Sequence, residues 1–435
     1  DKHYNKLYWG TSNEHKGDFK QHRNSIRSLW LTRKYQTPDN AELANIFEPY
    51  NHSKIEFSQV PNLTTLVINP ARYGNGRFEF GTENWNNCND ETGYYIGEYL
   101  IKDISRKNKL KTLIAADSSI DSSCTPMQYL NLSTLEKLRT VHVNNNELYR
   151  LDVKQGNNIK ELWAQDNNLG SSTASWLRMD GYPNPQETCP MHKLPNIERL
   201  IVSDNNLKSL VSQPYQFTKL TSLLASNNPS LHNTTPLDLD APLIEYLDLS
   251  GCSMGAGMTL KGTTQLRQLL LRDVTQLNRF SFLLSGGQEM SNFNTLVLTN
   301  SQMQYLNLGT NSQERWGSGF GDYYDYGYAF WNLKYVDLSN NRQLTKVELP
   351  RSFDSYSSSQ KEYLEYINVS GTSLNLDSFF DQPALITPNG YPDGHTLEIS
   401  ARRTKNTLSI DKYNEITSNW NGSGKYLVLD VDIDK

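Results

Sequence analysis

A short apolar repeat runs through most of the chain and limits the folds open to it. The unit reads LxxLxLxxNxL, with Ile, Val, Phe, Ala or Met replacing some leucines. It appears as LTTLVINPARY from Leu63, LKTLIAADSSI from Leu110, LRTVHVNNNEL from Leu138 and IKELWAQDNNL from Ile159. It continues as IERLIVSDNNL from Ile197, LTSLLASNNPSL from Leu220, IEYLDLSGCSM from Ile244 and LRQLLLRDVTQL from Leu266. FNTLVLTNSQM from Phe293, LKYVDLSNNRQL from Leu333 and LEYINVSGTSL from Leu364 bring the copies to eleven. Side chains alternate along a strand, so the leucines of each LxL core point into one interior. A single short strand cannot bury that face alone, and copies must stack as a parallel solenoid.

A second apolar pulse follows many copies: LYRLDV from Leu148, LNRFSF from Leu277, MQYLNL from Met303 and LTKVEL from Leu344. It supplies the opposite wall. The tightest copies start 21 to 24 residues apart (Leu138 to Ile159, Leu220 to Ile244), which leaves little room for a helix. Extended or 3₁₀ segments are expected on the convex side. The position after LxxLxLxx is usually Asn: Asn146, Asn167, Asn205, Asn228 and Asn341. A buried Asn carries both a donor and an acceptor and serves backbone groups of neighbouring turns. Ser118, Ser301, Thr372 and Cys252 can take part of that role. Val274 cannot, which marks its repeat as irregular. Asn145, one position before the row, is expected to be replaceable at little cost.

These residues resemble the leucine-rich repeat family over about Leu63 to Leu374, and LRTVHVNNNELYRLDVKQGNN is most similar to the short repeats of bacterial surface proteins of the internalin-like and Bacteroidetes types. The resemblance implies a leucine-rich repeat solenoid with a parallel concave sheet, irregular insertions and end caps. The expected organisation is an N-terminal cap over residues 1–60, a solenoid over 61–384 and a strand-rich C-terminal cap over 385–435. Within the first flank, DNAELANIF from Asp39 reads as a short helix. Within the last, TLEIS and YLVLDVDI read as strands.

The residues between the leucines fall on the outer face of the sheet. The central column holds Val67, Ile114, His142, Trp163, Ile201, Leu224, Asp248, Leu270, Val297, Asp337 and Asn368. The neighbouring column collects Tyr246, Tyr335 and Tyr366 toward its end. An exposed apolar stripe with a polar rim marks a contact surface. The partner-binding candidates are His142, Trp163, Ile201, Leu224, Tyr246, Asp248, Tyr335, Asp337 and Tyr366. The competing explanation is that an insertion folds over the stripe. Three insertions interrupt the repeat, at 71–109, 170–195 and 309–332. The third, GTNSQERWGSGFGDYYDYGYAFWN, offers Trp316, Phe320, Tyr323, Tyr324, Tyr326, Tyr328 and Trp331 as an aromatic loop. Tyr and Trp give large contact area at low entropic cost, suited to protein surfaces or sugar rings. These rings can equally pack back on the solenoid.

Lys+Arg 42 against Asp+Glu 47 gives a net charge of −5, so the chain lacks the basic excess that phosphate backbones require, and nucleic acid is excluded as the expected partner. No apolar run is long enough for a membrane-spanning helix. The chain begins at Asp1 without an apolar leader and reads as a mature form whose export signal, or an N-terminal lipid anchor, has been removed. No HExxH, GxSxG or phosphate-binding glycine loop occurs, no metal site or cofactor is expected, and no catalytic residue is assigned. Asp430, Asp432 and Asp434 alternate on one strand face; they either ligate calcium or protect a terminal strand. Four cysteines allow up to two disulfides, with Cys252 at a core position. By resemblance, the function is non-enzymatic binding of a protein or peptide at a bacterial cell surface, facing outward from the outer membrane. The alternative is a glycan-binding accessory lipoprotein of an outer-membrane transporter complex for nutrient uptake.

Overall fold

The computed structural model describes residues 27–31, 62–68, 109–116, 129–132, 135–148, 150–153, 157–170, 177–179, 194–211, 216–283, 290–308, 332–349, 363–386, 388 and 391–434. They belong to two compact units, Asp1–Asn205 and Asn206–Lys435. The aromatic loop of 309–331, the DNAELANIF segment and nearly all of insertion 71–109 lie outside the described residues.

In the first unit, six parallel strands form the main sheet: β1 (Ser28–Leu31), β2 (Thr65–Ile68), β3 (Thr112–Ala115), β5 (Thr140–His142), β7 (Glu161–Trp163) and β9 (Arg199–Ile201). The register stacks Leu66, Leu113, Val141, Leu162 and Leu200 in one row, all buried. Each such side chain is worth about 1.5–3 kcal/mol of burial. The opposite wall is a second parallel sheet of β4 (Tyr129–Asn131), β6 (Arg150–Val153) and β8 (Leu177–Met179). Two expectations change here. Strand β1 lies inside the supposed cap, where IRSLWL from Ile26 has the spacing of a further repeat. Strand β8 lies inside insertion 170–195 and continues the second wall.

The second unit repeats the plan. Its main sheet runs β10 (Ser222–Leu224), β12 (Tyr246–Asp248), β14 (Gln268–Leu271), β16 (Thr295–Leu298), β18 (Tyr335–Asp337), β20 (Tyr366–Asn368), β21 (Thr396–Ala401) and β22 (Tyr426–Val431). Its other wall holds β11 (Leu237–Asp240), β13 (Met258–Lys261) and β15 (Phe280–Leu283), then the pair β17 (Tyr305–Asn307) and β19 (Lys346–Glu348). The second apolar pulse is thus extended, as expected. Toward the C-terminus this wall becomes helical: α1 (Leu376–Phe380), α2 (Pro383–Ile386) and α3 (Ile410–Trp420). The wider spacing after Leu364 gives helices the length they need. Ser409 caps α3, its hydroxyl accepting from the Lys412 N–H. The C-terminal segment is therefore not strands alone: β21 and β22 extend the main sheet, and α3 lies between them.

The Asn row forms a ladder. Asn167 donates from Nδ2 to the carbonyls of Val143 and Ala164 and accepts the Leu148 N–H at 2.9 Å. Asn205 donates to Ala164 O and accepts the Leu169 N–H at 3.0 Å. Asn228 accepts the Leu207 N–H, and Asn341 donates to Leu298 O. Cys252 takes the same place, its thiol donating to Ala225 O at 3.2 Å. Burial pushes that thiol up to about 12, so it is a core donor and not a nucleophile. Because Cys252 is free, the two-disulfide arrangement is ruled out.

One residue before each rung the backbone turns left-handed: Asn145, Asp166 and Asp204 in the first unit, and Asn227, Asp273, Asn300, Asn340 and Arg403 in the second. Gly251 and Gly371 fill that position in two repeats, where an added Cβ would meet the Asn227 or Asn340 side chain. Two expectations are corrected by this column. The Val274 repeat keeps its turn, with Asp273 at φ 55°, and the Asp273 N–H reaches Thr299 Oγ1, where the same N–H of other repeats meets a backbone carbonyl such as Gln165 O or Ser250 O. Asn145, at φ 53°, is not an indifferent position. Asn205→Ala should cost about 2 kcal/mol by stranding the Leu169 N–H and removing the bonds donated to the carbonyls of Ala164, Val202 and Ser203. Asn145→Ala should cost about 1 kcal/mol through backbone strain, and Asn145→Gly close to nothing. Urea unfolding of the three variants decides it; equal losses at Asn145→Ala and Asn145→Gly would refute the strain account.

Candidate functional site

The candidates map onto two patches on the outer faces, one in each unit. In the first unit, register places His142, Trp163 and Ile201 in one column across β5, β7 and β9. The imidazole of His142 stacks on the Trp163 indole with centroids 4.1 Å apart and planes 13° apart. Glu161, in the neighbouring column, sits 3.8 Å from His142 Nε2 and 3.7 Å from Arg199 Nη1. Burial holds His142 below its ordinary value, against the pull of Glu161. The ring is therefore neutral near pH 7 and stacks as an uncharged partner. His142 Nε2, Trp163 Nε1 and Gln165 Oε1 are all out of water and have no hydrogen-bond partner among the described residues. The strands alone do not supply a place for these atoms. Trp163 is thus half-buried and part of a packed patch, rather than a free-standing ring. Arg199 and Gln165 were legible in the sequence as outward positions of their repeats but were not among the partner-binding candidates.

In the second unit, Leu224, Asp248 and Asp337 share the central column, and Tyr246, Tyr335 and Tyr366 its neighbour. Tyr335 and Tyr366 stack with centroids 4.6 Å apart and planes 9° apart. Tyr335 is 38% exposed and Tyr246 41%. Tyr246 stands apart from the pair, because Gln268 and Thr295 intervene, a separation of roughly 14 Å at sheet spacing. Burial, then the neighbouring Asp337 carboxylate, raises the Tyr335 phenol; burial and the stacked Tyr335 raise Tyr366. Both hydroxyls stay protonated. The pair is a face-to-face aromatic stack with a carboxylate beside it.

The carboxylates have a structural task as well. Asp248 Oδ1 accepts the Ser250 N–H at 2.9 Å, and Asp337 Oδ1 accepts the Ser339 N–H at 3.0 Å. Asn368 does the same for Ser370. These side chains end their strands in Asx-type turns. The triplets DLS, DLS and NVS carried that signal in the sequence. The stripe is also less open than its composition implies: Val67 and Val297 are buried, and Ile201 and Leu224 are half-buried.

The expected acid row is likewise engaged. Asp430 pairs with Arg402, Asp432 Oδ2 accepts the Arg403 N–H at 2.7 Å, and Asp434 accepts the Thr407 hydroxyl. Each Asp bonds back to the preceding turn. Among the described residues no group of three His, Cys, Asp or Glu is arranged to hold a metal ion.

No protein-family model matches the chain, and no curated protein sequence does. Among solved structures, it is similar to YopM from Yersinia enterocolitica WA-314, at 16% identity over 80% of this chain and 71% of that one, with a TM-score of 0.29. An internalin (InlF) from Listeria monocytogenes matches at 12% identity over 94% of this chain and 88% of that one, TM-score 0.30. The TLR13 structure in complex with ssRNA13 matches at 12% identity over 87% and 61%, TM-score 0.21. The fold is established by the chain's own features: the repeat, the parallel register, the Asn ladder and the left-handed turn before each rung. This is a chain of the leucine-rich repeat fold.

Proposed function

We propose that the chain is a non-enzymatic binding protein that takes a protein or peptide partner on the outer face of its main sheet. The observation that carries this reading is the stacked pair of Tyr335, which is exposed, and Tyr366, which is half-buried. Rigid aromatic surface of this kind is enriched where binding energy concentrates. The aromatic loop of 309–331 is proposed as a second contact. A display site on the bacterial surface is proposed from the repeat type, and protease shaving of intact cells tests it.

A peptide display library screened against the purified chain supplies the probe. The double variant Tyr335→Ala/Tyr366→Ala should then lose about 2 kcal/mol or more of affinity while its thermal melt changes little. Trp163→Ala is the contrast: it removes the His142 stack, so it should cost about 1 kcal/mol of stability. Unchanged affinity in the tyrosine double variant would remove the platform from the reading. A second reading, glycan binding, rests on the paired Tyr335 and Tyr366 rings with the Asp337 carboxylate beside them. Binding on a glycan array, lost in the same double variant, would select it over the peptide reading.

A further inference from the structure

We infer that the partner presents an arginine side chain, whose guanidinium lies flat on the open face of the Tyr366 ring and pairs with the Glu398 carboxylate. This rests on the peptide reading above and adds to it the chemistry of one partner residue. The Tyr335 and Tyr366 centroids are 4.6 Å apart and their planes differ by 9°. That separation matches the ~4.8 Å between neighbouring strands, so the ring faces look across the strands. One face of Tyr366 is taken by Tyr335. The other looks over β21, where the residue in register with Tyr366 is Glu398. Glu398 is exposed, and the next outward pair, Asn368 and Ser400, is uncharged.

The charge balance of this sheet face selects a cation. Most charges on and beside it are already matched: Arg267 with Glu245, Lys334 with Glu365, and Arg402 with Asp430. Asp432 accepts the Arg403 N–H. Among the described residues this leaves Asp248, Asp337 and Glu398 outside any ion pair, with Arg272 as the opposing charge. Asp248 and Asp337 each commit one oxygen to their own turn. Burial is the first cause that raises the Tyr335 and Tyr366 phenols, and Asp337 and Glu398 add to both. Arg272 opposes them at Tyr335 and not at Tyr366, so the unmatched negative charge lies on the Tyr366 side of the stack.

A guanidinium suits this slot better than an ammonium. It is planar and weakly hydrated, stacks on an aromatic face, and keeps N–H groups at its rim for a carboxylate. An ammonium is a compact, strongly hydrated charge with no face to lay on the ring. The Tyr366 ring is already held, by Tyr335 on one side and by its hydrogen bond with Asn368, so little order is lost when a second planar group stacks on it.

Pools of short peptides provide the probe. They share one fixed position in an otherwise random sequence of uncharged residues, the fixed residue being arginine, its uncharged isostere citrulline, lysine or glutamate. The arginine pool should bind the full chain about tenfold more tightly than the citrulline pool, and more tightly than the lysine pool. Glu398→Gln should bring the arginine pool down to the citrulline level without moving the thermal melt. Glu398→Lys should transfer the preference from the arginine pool to the glutamate pool. Glu245→Gln removes the same charge beside β12, five strands away, and should keep the arginine preference. Equal affinity of the arginine and citrulline pools, lost together in Tyr335→Ala/Tyr366→Ala, overturns the inference and leaves the peptide reading standing. Equal arginine and lysine pools overturn the guanidinium stack. A preference that drops equally in Glu398→Gln and Glu245→Gln overturns the site, because the field of the whole face then accounts for it. Binding of no pool overturns the inference together with the reading it rests on.

Discussion

Trp420→Ala is expected to lower the stability of the second unit by about 4 kcal/mol, near the upper end of what a single truncation costs. Trp420 ends α3, is buried, and donates its indole N–H to the Leu385 carbonyl at 3.0 Å. Its ring lies 5.4 Å from Tyr391, which in turn stacks on His395 at 4.7 Å. This one side chain therefore ties α3 to α2 and to the loop leading into β21. Truncation leaves a large cavity and an unpaired buried carbonyl together. Trp420→Phe keeps most of the packing and should cost only about 1 kcal/mol for the lost hydrogen bond. Urea unfolding followed by far-ultraviolet circular dichroism measures both. A loss below about 1 kcal/mol for Trp420→Ala would show that α3 does not hold this end of the unit.

The second large effect is on acid stability. His232 is completely buried, and its ring is fully engaged in one tautomer. Nε2 must accept, because the Leu210 N–H points at it from 3.1 Å; Nδ1 must then carry the proton and donate to Thr235 O at 2.9 Å. Burial is the main cause that lowers this imidazole from 6.5 to about 4, partly opposed by the Thr235 carbonyl. The unfolded chain therefore takes up the proton first. The stability due to neutral His232 is fully present above pH 6.5 and is lost as pH falls toward 4. At about 1.4 kcal/mol per pH unit, the loss reaches about 3 kcal/mol. His232→Gln should start lower at pH 7 and show a flatter fall between about pH 6.5 and 4.5. Parallel pH curves for wild type and variant would exclude His232 as the cause.

His232 also shows where sequence reading stops. It follows a repeat that was legible to the residue, yet nothing in LHNTTP marks a histidine with two backbone partners. The bonds reach Leu210, 22 residues away, and exist only once successive turns are stacked. Trp163 makes the same point. Its column was readable from alternation alone, and the register places it there. Its stacking on His142 and the orphaned Nε1 depend on two strands meeting side by side. Asp248 and Asp337 were read as partner contacts from their outward position, whereas one oxygen of each carboxylate is held by its own turn.

What the amino-acid order determined by itself was everything periodic. Apolar spacing of two within a strand, and the return of that pattern with an Asn behind it, call for an arrangement in which the inward row of every repeat strand is buried, so the parallel sheets, the inward rows, the ladder and the extended second wall could be read in advance. Tertiary structure decided whatever depends on neighbours distant in sequence or on a turn with weakened consensus. Strand β1 was hidden because Ile26 opens a copy with Lys34 where the ladder Asn would stand; β21 was legible as a strand, but its place in the repeat was masked because Thr396 stands where Leu usually does. The helix α3 lies between the two expected strands in a segment where no element was read, because its anchor, Trp420, gains its place only against Leu385 and Tyr391. The open edge of β22 has the same origin: YLVLDV repeats the pattern of the buried strands, and that pattern stays exposed because no further strand among the described residues lies against it.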